Sequence, residues 1–383
     1  MLRLLGSRVQ GGRVRVHPTE PSAGGSEYLW IRPLLLMTVV GVALACAVGP
    51  LFGMPTVEIL FTYVRVIWVF APLSIVVAMA GVTVHALIRG EKNPSAFLWS
   101  KLSKRVGTLD LASGTIAPIV MMPLILGAFG TLKQVLPVAH PFAWDDTFAA
   151  ADRLLFGVQP WRLTHGLFGP RGTMILECFY DAWIAFLFIA VIAFALASPH
   201  YRRARFFLAF GAAWLLLGVG ASILFSSAGP CFSAMIGAQS ASEYSELMMR
   251  LNTLDRDGYI LVALDTQRAL WRSYSDHAYG FGMGISAMPS MHNAIACLYA
   301  LALWNAGLVL RWLSSAFAAI IFVASIHFGW HYAVDGLFSW AAMGGIWYAA
   351  GVYLRRSGYE ASVHHGEMSG VIPSLAPNGS LPA

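Results

Sequence analysis

Apolar residues along this 383-residue chain fall in long unbroken stretches rather than in alternation with polar ones. Stretches of about 20 residues, enough for a helix to cross a hydrocarbon core of about 30 Å, occupy 33–53, 66–88, 112–132, 173–197, 206–226, 291–310, 314–334 and 336–354. The pattern predicts about eight transmembrane helices and an all-α, polytopic membrane protein. Polar positions gather in two connections too long for simple turns, 133–172 and 227–290. In the first, WDDTFAAADRLLFG reads as an interfacial helix whose acids Asp145, Asp146 and Asp152 form an exposed face. The segment 357–383 is rich in Ser, Gly and Pro and reads as a disordered tail, as does most of 1–27.

Composition agrees with the pattern. The chain is 57% apolar and 11% charged, whereas soluble domains carry about 25% charged residues. A net charge of +6 would suggest an acidic partner for a soluble protein, but here its placement matters more than its sum, and no nucleic-acid partner is expected. Sixteen of the 25 Lys and Arg fall on one side of the predicted topology, including Arg89, Lys92, Lys101, Lys104, Arg105, Arg202, Arg203, Arg205, Arg311, Arg355 and Arg356. The positive-inside rule then puts both termini in the cytoplasm, with 1–30 as a cytoplasmic tail and both long connections outside. Such an arrangement, with its compact loops, fits a bacterial inner membrane with a periplasmic site at least as well as a eukaryotic secretory membrane with a lumenal one. Cys46, Cys178 and Cys297 lie in apolar runs and Cys231 stands alone in a loop, so neither metal nor disulfide spacing is present.

Ionisable groups at membrane depth are costly and mark functional positions. GFGMGISAMPSMHNA leads into the sixth apolar stretch and puts His292 in its first turn. SIHFGWHYAVDG closes the seventh and spaces His331 and Asp335 four residues apart, on one helical face if the helix persists. Two imidazoles and a carboxylate fit nucleophilic catalysis with acid–base help, and phosphorus is the favoured electrophile. The glycines Gly280, Gly282 and Gly284, with Ser290 near the N-cap, offer N–H groups to an anion. His327, Glu177 and Asp181 are further ionisable residues in the apolar runs; the two acids are expected to face the bundle, paired with an arginine or lining a polar cleft.

AMPSMH and HYAVD resemble the two histidine motifs of the type 2 phosphatidic acid phosphatase superfamily, and in particular its inositol phosphorylceramide synthase branch. LKQVLPVAHPFAWDDTFAAADRLLFG and FSSAGPCF resemble other segments of that branch. The resemblance implies a catalytic membrane domain over 110–355 containing a six-helix core, with two extra helices at 31–90. It implies that His292 protonates the leaving group, that His331 is the nucleophile forming a phosphohistidine, and that Asp335 orients it. No cofactor or metal is implied, and the partners are membrane lipids as donor and acceptor.

The sequence also departs from the superfamily. Its phosphatases carry Lys-x6-Arg-Pro and a Ser-Arg before the nucleophile, where this chain has Lys133 with His140-Pro141, and Ala324-Ser325. Fixed positive charge is missing, while Lys133 and His140 stay as candidate phosphate ligands beside Ser290. A phosphomonoester nears a dianion and needs several cations, whereas a phosphodiester carries one negative charge. Transfer of a phosphoalcohol headgroup is therefore expected, with a lipid phosphatase and a proton-coupled transporter as alternatives; Arg268 and Arg272 are the arginines that would fill the gap in a phosphatase.

Overall fold

The structure is a computed structural model and describes residues 23–88, 90, 93, 114–197 and 200–359. Of the predicted tails, residues 1–22 and 360–383 lie outside the described residues, as do the basic residues Arg89, Lys92, Lys101, Lys104 and Arg105, whereas residues 23–30, expected in the cytoplasmic tail, form the start of a helix. Among the described residues there is no strand, and seven helices are long and apolar enough to cross a membrane. The protein is an all-helical, multi-pass membrane protein.

The spanning helices are α1 (Ala23–Val48), α2 (Thr56–Ile88), α3 (Ala117–Ala139), α6 (Pro170–Ala197), α7 (His200–Ala213), α11 (Leu308–His327) and α12 (Ala333–Arg356). A π-helical stretch, Trp214–Ala221, continues α7 to Leu224. Four shorter amphipathic helices fill the two long connections: α4 (Asp145–Phe156), α5 (Pro160–Leu167), α8 (Ala241–Arg256) and α9 (Val262–Ser275).

The sixth apolar stretch departs from the eight-span expectation. It forms α10 (Met291–Leu303), only 13 residues, or about 20 Å of helix. The Ser290 hydroxyl caps its start by accepting the Asn293 N–H, and the run ends before Gly307. His292, in the first turn of α10, packs on Tyr180 and Trp183 well inside the 28-residue α6 rather than at its end.

The seventh stretch ends earlier than expected. α11 stops at His327, because Gly329 turns the chain at φ +68 and a Cβ there would stand 3.0 Å from Leu247. His331 therefore sits in a turn and Asp335 in the first turn of α12, not on one helical face.

α10 is the central helix, packed by α11, α12 and α7. α1 and α2 lie against α3, and α2 also runs along α6. Small residues allow this: a Cβ on Gly127 would lie 3.0 Å from the Leu60 backbone, and one on Gly130 would lie 2.7 Å from the Tyr63 hydroxyl. At the end away from the long connections, buried Glu27 accepts bonds from Trp30 (2.6 Å) and Tyr359 (2.8 Å) and sits 3.5 Å from buried Arg203. This knot ties α1, α7 and the end of α12 together.

Candidate active site

His331 is buried in the turn between α11 and α12. The Trp330 and His331 N–H groups both donate to the Ser325 carbonyl, at 3.0 and 3.1 Å. Its Nδ1 is 2.8 Å from the Ala287 carbonyl oxygen and 3.5 Å from Asp335 Oδ2. A carbonyl only accepts, so Nδ1 carries the proton and Nε2 presents a lone pair. Burial is the main influence on this imidazole and, with the Lys133 charge adding to it against the Ala287 bond, pushes it down to about 3. The ring is thus neutral, as a nucleophile requires.

His292 lies 6.0 Å from His331 between ring centroids. Its walls are aromatic, with Trp183 at 4.1 Å and Tyr180 stacked at 4.7 Å, both on α6. The charge of Lys133 on α3 acts on both imidazoles. The structure therefore brings His292, His331, Asp335 and Lys133 together from α10, the α11–α12 turn, α12 and α3.

Ser290 is fully buried, and its hydroxyl is engaged as the cap of α10 and by the Asn293 amide at 3.0 Å. His140 is exposed just past the end of α3, two turns beyond Lys133, where its carbonyl accepts the Ser226 hydroxyl. His327 faces away from the site: its nitrogens meet Thr164 and Thr173, and its ring stacks on His165 at 3.8 Å.

The acids differ from the sequence reading. Asp145 and Asp152 of α4 are 3% and 2% exposed, and Asp146 alone of the three lies near the surface. Asp145 accepts the N–H groups of Ala228 and Gly229 and, at 2.9 Å, the Tyr332 hydroxyl. Asp152 accepts the Ala333 and Val334 N–H groups at 2.8 and 2.9 Å, at the start of α12. Burial, with repulsion from Asp335, pushes Asp152 up to about 7 against those two bonds, and burial also raises Asp145. The signal was present in the sequence: Asp145, Phe148, Ala149 and Asp152 follow the i, i+3, i+4, i+7 stripe of a buried face.

Two further residues were not singled out in the sequence. Gln134, one residue after Lys133, clamps Gly280 through both backbone groups, at 2.9 and 3.0 Å. Ser227 accepts the Ala287 N–H on its carbonyl (2.9 Å) and the Met288 N–H on its hydroxyl (3.1 Å). Glu177 faces the bundle but accepts the Ala263 N–H at 2.6 Å, and Asp181 is exposed; among the described residues neither pairs with an arginine. Among the described residues no group of three or more His, Cys, Asp or Glu is placed to hold a metal ion, and the four cysteines are free.

A buried neutral imidazole with one oriented nitrogen, a second imidazole whose ring centre lies 6.0 Å away and the charge of Lys133 together suit covalent transfer of an anionic group. A family model described as the PAP2 superfamily matches residues 146–349, more than half of the chain, and the protein belongs to that superfamily. Membership supports a lipid enzyme of the phosphatase or phosphotransferase type, and the match distinguishes no branch within it. Neither the search of curated proteins nor that of solved structures gives a match.

Proposed function

We propose that the protein transfers a phosphoalcohol headgroup from a glycerophospholipid to a lipid alcohol, such as a ceramide, through a phosphohistidine on His331. The observation that carries this reading is the charge inventory. Among the described residues, Lys133 is the single lysine or arginine whose charge acts on the two imidazoles. Arg268 is engaged elsewhere, with Asp265 at 2.8 Å and Asp255 at 3.5 Å, and Arg272 bonds the Arg268 carbonyl. One ammonium matches the single charge of a phosphodiester better than the near-dianion of a phosphomonoester.

In the first step His331 Nε2 attacks phosphorus, the bond from phosphorus to the diacylglycerol oxygen breaks, and His292, entering the step as an imidazolium, delivers a proton to that oxygen and is left neutral. The Nδ1–H of the phosphorylated ring continues to donate to Ala287, and Asp335 balances the positive charge. In the second step His292 takes the proton of the acceptor hydroxyl, whose oxygen displaces His331 from phosphorus and restores the ring. Water as acceptor would make the same residues a hydrolase. The distribution of Lys and Arg supports a site facing away from the cytoplasm, in a bacterial inner membrane the periplasm.

The test is a mixed-micelle assay of purified protein with headgroup-labelled phospholipids, with and without ceramide or diacylglycerol. A new labelled lipid, lost in His331→Ala, is the expected result. Release of the headgroup phosphate to water alone, or turnover that survives His331→Ala, overturns the reading.

A further inference from the structure

The His331 Nδ1–H has two acceptors within reach, and each is held in place by a different acid of α4. The first is the Ala287 carbonyl, at 2.8 Å. Ala287 and Met288 are bonded to Ser227, and the next two N–H groups of that loop, Ala228 and Gly229, are held by Asp145. The second is Asp335 Oδ2, at 3.5 Å. Asp335 rides on the first turn of α12, whose Ala333 and Val334 N–H groups end on Asp152. Tyr332, between His331 and that turn, donates to Asp145 at 2.9 Å, so the two arms meet beside the nucleophile.

We propose that Asp145 and Asp152 are positioning residues for the nucleophile. α4 is a two-point clamp that fixes both acceptors of the His331 Nδ1–H and thereby the direction in which Nε2 faces phosphorus. The Nδ1 partners of the imidazole are Ala287 and Asp335 rather than either acid, so the clamp acts through backbone geometry. A misplacement of about 1 Å at a reacting atom costs on the order of 10²-fold in rate. The inference rests on the reading of His331 as the nucleophile.

The experiment compares Asp145→Asn and Asp152→Asn with wild type in the mixed-micelle assay, using the labelled phospholipid and ceramide pair that wild type turns over. The clamp predicts a fall in kcat of about 10²-fold, an unchanged KM and an unchanged size-exclusion profile. Histidine 15N spectra in nanodiscs, with His331 assigned by loss of its signals in His331→Gln, give the second readout. The wild-type ring holds its proton on Nδ1, and each variant shows a mixture of tautomers. If an asparagine variant does not accumulate folded, Ser227→Ala, which removes one bond of the Asp145 arm, is measured by the same two readouts. Wild-type kcat, or a pure Nδ1–H tautomer, in the variants overturns the clamp while His331→Ala stays dead. Activity retained by His331→Ala overturns the underlying reading instead.

Discussion

Lys133 carries its charge toward two imidazoles and an acid, and its value to the proposed phosphate site follows from its isolation. A charge-assisted hydrogen bond contributes about 1.5–3 kcal/mol, so Lys133→Ala should lower kcat/KM by about 10- to 100-fold, and Lys133→Arg should recover most of the loss. Steady-state kinetics on the phospholipid donor measures both; a wild-type value for Lys133→Ala would remove Lys133 from the phosphate-binding role. At this scale the histidines and Asp335 were readable because each stands in a short motif. The exchange of helix for turn at Gly329 was not, because it depends on Leu247 arriving from α8 to crowd that position. His140, equally prominent in the sequence, ends up exposed on the far side of Pro137 and Val138.

Among the elements, the glycine-rich loop before α10 and the amphipathic helix α4 hold the site from opposite sides. Gly284 takes φ +98, and a Cβ there would stand 3.1 Å from the Gln134 backbone nitrogen and 3.0 Å from its Cγ. Gly284→Ala should therefore destabilise the fold by about 1–3 kcal/mol and loosen the Gln134 clamp on Gly280, read as a lower unfolding midpoint in nanodiscs; an unchanged midpoint would show that the loop yields freely. α4 lies outside the spanning segments, and its buried acids make stability depend on pH. Asp152 is raised to about 7, so the folded state binds a proton that the unfolded chain has already released. That contribution is complete below the unfolded value near 3.8 and fades as pH rises through about 7. The unfolding temperature should fall between pH 5 and pH 8, and the fall should be smaller in Asp152→Asn; equal slopes would place the titration elsewhere. Burial pushes Asp146 up, but its bonds to Ser240 and Gln239 together outweigh that and leave it lowered, so it acts only below this window and in the opposite sense. The existence of α4 was legible from its amphipathic run, but its orientation was not. Acids on an interfacial helix normally face water, and the N–H groups that reverse this for Asp145 and Asp152 belong to Ala228, Gly229, Ala333 and Val334, distant in sequence.

For the molecule as a whole, the family match begins at residue 146, after α1, α2 and α3, yet α3 carries Lys133 and Gln134 to the site. α2 reaches the same place from behind: Tyr63 packs on Phe281 of the glycine-rich loop at 4.6 Å and closes over Gly130 of α3. The second N-terminal helix, which the sequence sets outside the resemblance, thus buttresses the loop that precedes the helix bearing His292. Two roles for this contact, packing alone or placement of the loop, separate in a pair of substitutions. Gly130→Ala puts a methyl 2.7 Å from the Tyr63 hydroxyl, an overpacking that should cost about 1–3 kcal/mol and reduce transfer as α2 shifts. Adding Tyr63→Ala removes the clash and should restore much of the stability, but it also removes the ring behind Phe281, so transfer should stay low. Unfolding midpoints and transfer rates of the two single variants and the double variant in nanodiscs decide between the roles. Transfer that recovers together with stability would make α2 a packing surface only. Stability that recovers without transfer would make it part of the architecture that places the loop.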